Sequence, residues 1–171
     1  GFIRFGRGLL KKSLTVINYH RIANLEDFSD SFQPNISASP QGFDEQMQYL
    51  MKWYQVISLD DLTEYLTNKK PLPPYPALIT FDDGYLDNYT NALPILRKHD
   101  LPAIIFLTSG YISSHLPFYW DLACYCFNHS RKDSVIFPNN RERKWGSEIE
   151  KKKILQEWIE TLKRLDETEK L

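Results

Sequence analysis

Two aspartates stand side by side where a run of strand-forming residues ends. Residues 77–81 read ALITF, and Asp82, Asp83 and Gly84 follow directly. Neighbouring carboxylates repel each other unless hydrogen-bond donors or a cation offset the repulsion. A strand-to-helix turn needs one aspartate as a cap and the glycine for its conformational freedom, so the second carboxylate is left without a structural reason. One carboxylate binding a divalent metal while the other activates a bound water is chemistry suited to such a pair.

A histidine ends another predicted strand. His20 closes residues 14–20, which read LTVINYH. If the strands are parallel, their carboxyl ends share one rim of the sheet, and His20 is then expected near the aspartate pair. The alternative is a strand-end histidine that only bonds to backbone. The remaining histidines, His99, His115 and His129, lack the i,i+3 or i,i+4 spacing of a helical metal site.

Alternating apolar segments supply the elements that must position these residues. The predicted strands are 14–20, 54–59, 77–81 and 102–108, and the predicted helices are 39–53, 58–70, 86–98 and 118–130. This order predicts an α/β fold with parallel strands and crossover helices. The strands are almost continuously apolar, so both faces of the sheet are expected to be covered, as in an open doubly wound sheet or in a barrel.

Helix-start signals support several of these assignments. Ser39 is a predicted N-cap followed by Pro40, a residue favoured in the first helical turn. Ser58 is a second predicted N-cap, with Asp61 three positions on. Pro94 lies inside the predicted helix 86–98 and predicts a kink or a late start there.

The pattern changes after about residue 130. Residues 131–146 are polar and rich in turn formers, which suggests a short hairpin, and 147–171 predict one charged helix with an apolar stripe. We therefore divide the chain into a basic arm (1–12), the parallel α/β part (13–129) and a peripheral helical region (130–171). Cys124 and Cys126 are too few and too close for a disulfide framework and are expected to be core thiols.

Composition excludes several classes of protein. With 42% hydrophobic residues the chain is not of the disordered class, and its net charge of −1 argues against a broad nucleic-acid surface. No segment is long and apolar enough to be predicted to span a bilayer. The basic start lacks the apolar run of a signal peptide, which favours a bacterial cytoplasmic or membrane-associated location over a secreted one.

A family resemblance rests on three segments. These are LITFDDGYLDNYTNALPILRKHDLPAIIFLTSGYI, the upstream LTVINYHRI and the downstream PFYWDLACYCF. Together they resemble the polysaccharide deacetylases, the NodB-homology domain of carbohydrate esterase family 4, over about residues 13 to 127. The resemblance implies that the parallel strands are the N-terminal part of a deformed (β/α) barrel.

The resemblance also implies an activity and its residues. Members remove N-acetyl groups from a polysaccharide or amino-sugar glycan with a divalent metal, which we expect to be zinc. Asp82 matches the catalytic base and Asp83 matches a metal ligand. His20 and Asp121 match further site residues, which we assign to substrate binding.

One part of the family pattern is missing. The His-[Ser/Thr]-x-x-His motif that completes the metal site does not occur in this sequence, so it contains one of the three expected ligands. We therefore expect an incomplete fragment that binds metal weakly and has no activity alone. An incomplete barrel leaves an open sheet edge, which predicts self-association.

Other functions fit the residues less well. A haloacid-dehalogenase-like phosphatase would need Asp-x-Asp rather than adjacent aspartates, and a glycosidase would need a second acid, which does not stand out here. A non-catalytic domain that binds a glycan or a partner stays open as the main alternative, because residues 110–120 form an aromatic-rich segment able to stack on sugars.

Overall fold

The computed structural model describes residues 13–68, 70–112, 114 and 116–166. The predicted basic arm 1–12 lies outside these residues, as do His115 and residues 167–171 of the predicted C-terminal helix. The described residues form two compact units: the first contains 13–27 and 34–109, and the second contains 28–33 and 110–166.

The first unit holds the parallel strands. Its strands are β1 (Thr15–Tyr19), β2 (Arg21–Ile22), β3 (Ile36–Ala38), β4 (Gln55–Val56), β5 (Pro76–Asp83) and β6 (Ile104–Leu107). Its α-helices are α1 (Pro40–Trp53), α2 (Leu59–Asn68) and α3 (Leu93–Lys98). The strand pairs β1–β5, β4–β5, β5–β6 and β2–β3 are all parallel. This confirms the predicted α/β class with parallel strands and helices between them.

Strand β5 is the centre of the sheet. β1 pairs with it over its middle, in a register that places Thr15 opposite Ala77 and Tyr19 opposite Phe81. β4 pairs with its first residues and β6 with its last four. The carboxyl ends of β1 and β5 therefore lie next to each other, as the parallel arrangement predicted.

The core of the first unit lies under one face of this sheet. Tyr19, Phe43 and Phe81 are all buried and pack ring against ring, with centroids 5.0 to 5.8 Å apart. Met47 and Leu50 extend the same apolar face along α1. The three- and four-residue spacing of these α1 side chains explains why this stretch folds as a helix against the sheet.

The predicted helix starts are confirmed. Ser39 Oγ accepts a hydrogen bond from Gly42 N at 3.1 Å, which caps α1. Ser58 and Asp61 cap α2 reciprocally, because Ser58 Oγ accepts from Asp61 N at 3.1 Å while Asp61 Oδ2 accepts from Ser58 N at 3.0 Å. Each pair satisfies backbone N–H groups that the first helical turn leaves without a partner.

The predicted helix 86–98 does not start late but is interrupted before Pro94. Leu86 and Asp87 are already helical, a π-helical turn, Asn88–Ala92, follows, and α3 begins at Leu93 with Pro94 in its first turn. Proline lacks the N–H group that an interior helical position would need, so it fits at this start.

The second unit combines two helices with a hairpin. Its elements are α4 (Tyr119–His129), β7 (Ser134–Ile136), β8 (Glu142–Lys144) and α5 (Glu148–Leu162). β7 and β8 pair antiparallel, which confirms the predicted hairpin. Cys124 of α4 and Ile159 and Leu162 of α5 share one buried cluster. Helix α4 thus packs within the second unit, whereas the sequence-based division assigns it to the parallel α/β part. The predicted division after residue 129 stays a prediction.

Two sequence-based expectations are wrong in this unit. The C-terminal helix ends at Leu162 rather than continuing through the described residues, because Arg164 N and Leu165 N bond three residues back, to Thr161 O and Leu162 O, in a tight turn. That turn brings Leu165 against the apolar cluster. Cys126 is exposed, so only Cys124 is a core thiol.

Strand β6 leaves apolar side chains exposed. Phe106 is 57% exposed and Leu107 59%. Self-association through this edge stays a prediction. Among the helices of the described residues, none combines the length and the apolar character needed to cross a bilayer.

Candidate active site

The register of β1 and β5 sorts their side chains onto two faces. Asn18 lies opposite Thr80, and Asp82 follows two positions along β5, so all three project from the same face. Tyr19 and Phe81 project from the other face into the core. Burial raises the pKa of the Tyr19 phenol to about 12, so this residue stays neutral and belongs to the packing rather than to the site.

The chain turns away directly after Asp82. Asp83 and Gly84 both have positive φ values, 70° and 73°, and Gly84 N donates to Asp82 O at 2.9 Å. Non-glycine residues rarely adopt this conformation, and aspartate tolerates it better than most. A Cβ at position 84 would meet Cδ2 of Leu107, the far end of an exposed side chain that can shift. The positive φ is therefore the reason that this position favours glycine.

Two polar side chains lie close to Asp82: Asn18 belongs to β1, and His20 directly follows that strand. Asp82 Oδ2 accepts a hydrogen bond from Asn18 Nδ2 at 2.8 Å. His20 Nε2 is 3.9 Å from the same oxygen. The side chains of Asp82 and His20 are 38% and 37% exposed, so solvent and a ligand can reach both. The structure thus brings His20 next to Asp82, as the shared rim predicted.

The backbone of His20 is held on both sides. His20 N donates to Ser37 Oγ at 2.9 Å, and His20 O accepts from Asn88 Nδ2 at 2.7 Å. Asn91 Nδ2 holds Ile22 O in the same way, at 2.7 Å. Side chains from the π-helical turn therefore fix the segment that follows β1. This fixes the His20 backbone, from which the imidazole extends.

A buried ion pair involves Arg21, the residue that directly follows His20, and the sequence did not predict it. Arg21 Nε donates to Asp87 Oδ2 at 2.8 Å, and Ile22 N donates to Asp87 Oδ1 at 2.9 Å. Arg21 also lies over the Tyr85 ring, 4.4 Å from its centroid. The two charged residues are 66 positions apart, and no local pattern joins them. Arg21 directly follows the predicted strand 14–20, whereas Asp87 lies at the start of the predicted helix 86–98.

Asp121 lies in the second unit. It is in the first turn of α4, and its Oδ1 accepts a hydrogen bond from Phe32 N at 2.7 Å. This carboxylate thus has a structural partner within its own unit. Its assignment to substrate binding stays a prediction.

The described residues do not assemble a metal site. No group of three or more His, Cys, Asp or Glu side chains comes together among them in a geometry able to hold an ion. His99 binds Asp44 with its Nε2 2.7 Å from Oδ1, and His129 binds Asp30 with its Nε2 2.8 Å from Oδ2. A zinc site needs three or four such ligands. The role of Asp83 as a metal ligand stays a prediction, and the described side chains do not form a complete metal site.

Comparison with known proteins connects this geometry to a family. The family model described as polysaccharide deacetylase matches residues 69–156, just over half of the chain. The poly-beta-1,6-N-acetyl-D-glucosamine N-deacetylase of Staphylococcus epidermidis is 30% identical over 113 residues, which cover 61% of this chain and 39% of that protein. The chain spans less than half the length of the curated relatives it matches.

Solved structures give the same picture. IcaB from Ammonifex degensii is 27% identical with a TM-score of 0.51, covering 64% of this chain and 46% of that one. The de-N-acetylase from Aggregatibacter actinomycetemcomitans shares the fold, with a TM-score of 0.54, 16% identity and coverage of 88% of this chain and 74% of that one. The parallel strands described here are consistent with part of a (β/α) barrel of this type.

Proposed function

This chain belongs to the polysaccharide deacetylase family, and on that premise we propose that the protein containing it removes N-acetyl groups from a polysaccharide or amino-sugar glycan. The observation that carries the proposal is Asp82, a solvent-accessible carboxylate at the end of β5, held by Asn18 and followed by a second carboxylate in a turn. The staphylococcal relative is named for a polymer of N-acetylglucosamine, so we propose a glycan of that class as substrate.

The reaction is the hydrolysis of an amide. A water adds to the acetyl carbonyl carbon, the carbon–nitrogen bond breaks, and the products are acetate and a free sugar amine. Water is a poor nucleophile until a base removes its proton. We assign that proton transfer to Asp82, whose exposed carboxylate can approach a water and a glycan at the surface of the unit.

We propose a divalent metal, zinc by resemblance, as the cofactor. A metal in such a site polarises the carbonyl and stabilises the charge that develops on its oxygen. Asp83 is proposed as one ligand, because it directly follows Asp82 at the end of β5 and matches the metal-binding aspartate of the family pattern. The remaining ligands would come from outside the described residues, and we propose that this chain is one part of the complete enzyme and is inactive alone.

His20 and Asp121 are proposed to bind the substrate. For His20 the support is geometric: its imidazole is exposed and lies 3.9 Å from the Asp82 carboxylate, so a glycan that reaches Asp82 also meets His20. For Asp121 the support is the family resemblance alone.

The test is deacetylation by the whole protein and by this chain separately. Released acetate and new free amines are measured on N-acetylglucosamine oligomers, with and without added zinc. Asp82→Asn should lower the activity of the whole protein by about 100-fold or more, the usual contribution of a general base. Asp60→Asn, at an exposed position of α2, is the matched control and should retain activity. Full activity in the Asp82 variant would refute the assignment.

A non-catalytic glycan-binding function is the second candidate. It is favoured by the aromatic segment that precedes α4, where Phe118 and Trp120 stack with centroids 4.7 Å apart and Tyr111 packs 4.7 Å from Phe118. Aromatic faces of this kind can support sugar rings. Calorimetric binding of oligomers by the whole protein, together with no acetate release at any metal concentration, would favour this function over catalysis.

A further inference from the structure

We propose that Asn18 is a positioning residue for Asp82, with its amide oxygen anchored by the Thr80 hydroxyl. The proposal rests on the deacetylase function proposed above. It assigns roles to two residues, Asn18 and Thr80, to which the sequence analysis gave no part in the site.

The three side chains form a continuous chain of hydrogen bonds. Thr80 Oγ1 donates to Asn18 Oδ1 at 2.8 Å, and Asn18 Nδ2 donates to Asp82 Oδ2 at 2.8 Å. Thr80 Oγ1 also lies 3.4 Å from Ile17 O, a longer and weaker contact. Each donor in this chain faces an acceptor, and the direction of donation runs from Thr80 to Asp82.

The Asp82 carboxylate decides which end of the Asn18 amide faces it, and the Thr80 hydroxyl anchors the other end. An asparagine side chain has a donor end and an acceptor end of nearly equal shape, and its orientation follows from its neighbours. The carboxylate only accepts hydrogen bonds, so the NH₂ group faces it, and Thr80 donates to the Oδ1 that remains. The reversed amide would place Oδ1 against Asp82 Oδ2, two acceptors in contact, which is unfavourable.

Thr80 is well placed for this task because it cannot move. It is 4% exposed, lies in the centre of β5 and is paired directly opposite Asn18 in the parallel register. Asn18 is exposed and would otherwise be free to rotate in solvent. A buried residue in the central strand thus fixes an exposed side chain at the rim, which is how precise sites are supported by rigid elements.

The result for Asp82 is that its two oxygens differ. Oδ2 accepts from Asn18 and faces His20. Among the described residues, none donates a hydrogen bond to Oδ1. The carboxylate therefore cannot rotate freely, and Oδ1 is presented to the reacting water. This orientation, rather than the presence of the carboxylate alone, is what the chain of hydrogen bonds contributes.

Kinetics on the whole protein tests the positioning role. Asn18→Ala should lower kcat by about 10- to 100-fold, the value of a hydrogen bond to a charged group, with KM within about threefold of the unsubstituted value. Thr80→Val keeps the shape but removes the hydroxyl and should lower kcat in the same sense. Thr80→Ser restores the donor and should recover most of that loss. Asn24→Ala is the matched control, because Asn24 Nδ2 also donates to an aspartate, Asp27 Oδ2 at 3.2 Å, away from Asp82.

An NMR measurement on this chain tests the geometry independently of activity. The side-chain NH₂ resonances of Asn18, in ¹⁵N-labelled chain, should move in Thr80→Val and in Asp82→Asn but stay close to their original positions in Thr80→Ser. Circular dichroism shows whether each variant is folded. If Asn18→Ala fails to fold, the Thr80 pair decides between the outcomes.

The outcomes separate the two proposals. Unmoved Asn18 resonances in Thr80→Val would overturn the anchoring of Asn18 by Thr80, whatever the activity. Moved resonances with an unchanged kcat in an active protein would overturn the positioning role. A rise in KM alone would also overturn it, because it would indicate substrate binding. No activity in the unsubstituted protein, with the resonances moving as expected, would refute the deacetylase function, and the positioning role with it, while leaving the hydrogen-bond geometry confirmed.

Discussion

Asp87 binds Arg21 with one oxygen and the backbone of the next residue with the other. Its Oδ2 lies 2.8 Å from Arg21 Nε, and its Oδ1 accepts from Ile22 N at 2.9 Å. Arg21 is 6% exposed and Asp87 5%, so both charges are removed from water. The Asp87 carboxylate therefore connects the segment after β5 to the residues that follow β1. The position of His20 depends on those residues.

Removing the Asp87 carboxylate should destabilise the protein strongly. Asp87→Ala leaves the Arg21 guanidinium buried without its partner, for which we expect a loss of about 3–5 kcal/mol in the free energy of unfolding. Urea denaturation measures it. The exposed control Asp60→Ala should lose less than about 0.5 kcal/mol. A double variant, Arg21→Met with Asp87→Leu, should be closer to the unsubstituted protein than Asp87→Ala. If the single variant were as stable as the control, the ion pair would not hold this segment.

Gly84 should not tolerate a side chain. Gly84→Ala adds a Cβ at a φ of 73°, so we expect a loss of about 1–2 kcal/mol from the strained backbone, while the exposed Leu107 side chain can shift to make room. Thermal melting measures the change. Gly110→Ala is the matched control, because a Cβ at Gly110 meets no atom within 4 Å and should change stability little. Equal melting temperatures for the two variants would contradict the steric reason for the glycine.

Acid should weaken a contact between α1 and the end of α3. Hydrogen bonds from Lys98 and His99 lower the pKa of Asp44 from its ordinary 3.8 to about 2. A carboxyl with a depressed folded-state pKa stabilises the folded protein above the unfolded-state value and loses this contribution as the pH falls through the folded-state value. The stability difference between the unsubstituted chain and Asp44→Asn should therefore be full above about pH 4 and shrink towards about pH 2. Denaturant midpoints across that window measure it, and a constant difference would contradict the assignment.

The two cysteines should react differently. Burial is the largest cause of a rise in the pKa of the Cys124 thiol to about 12, so this residue is protonated and inaccessible in the folded chain. Cys126 is exposed. Iodoacetamide treatment followed by mass spectrometry should show modification of Cys126 alone, and of Cys124 only after unfolding in urea. Cys126→Ser is the control and should leave the folded chain unmodified. Rapid labelling of Cys124 in the folded chain would contradict its burial.

The chain alone should bind zinc weakly. Asp83 is proposed as one ligand, and the described residues bring no group of three ligands together. Calorimetric titration with zinc should therefore give a weak signal that Asp83→Asn reduces further, with no acetate release from N-acetylglucosamine oligomers. Tight, stoichiometric binding that survives Asp83→Asn would place a metal site elsewhere in the chain.

Local signals predicted the fold well, because they act over a few residues. The caps at Ser39 and Ser58 and the irregular helix before Pro94 all depend on neighbours within one or two turns. The parallel sheet followed from the alternation of strands and helices. β2 and β3 were missed because they have only two and three residues, too few for an apolar period to show.

Long-range relationships in the site were only partly accessible. The shared rim predicted that His20 and Asp82 would be neighbours, because parallel strands must end together. The hydrogen bond from Asn18 to Asp82 depends on the exact register of β1 against β5, which the sequence does not fix. The Arg21–Asp87 pair depends in the same way on the path of the chain after each strand.

The buried ion pair also limits how this family member can evolve. Natural proteins are stable by only about 5–15 kcal/mol, so losing one partner of a buried pair consumes much of that margin. A lineage cannot replace Arg21 or Asp87 one at a time without first gaining stability elsewhere. The two positions should therefore be inherited as a unit. The other residues between β1 and β3 should change in sequence far more readily than Arg21 and Asp87.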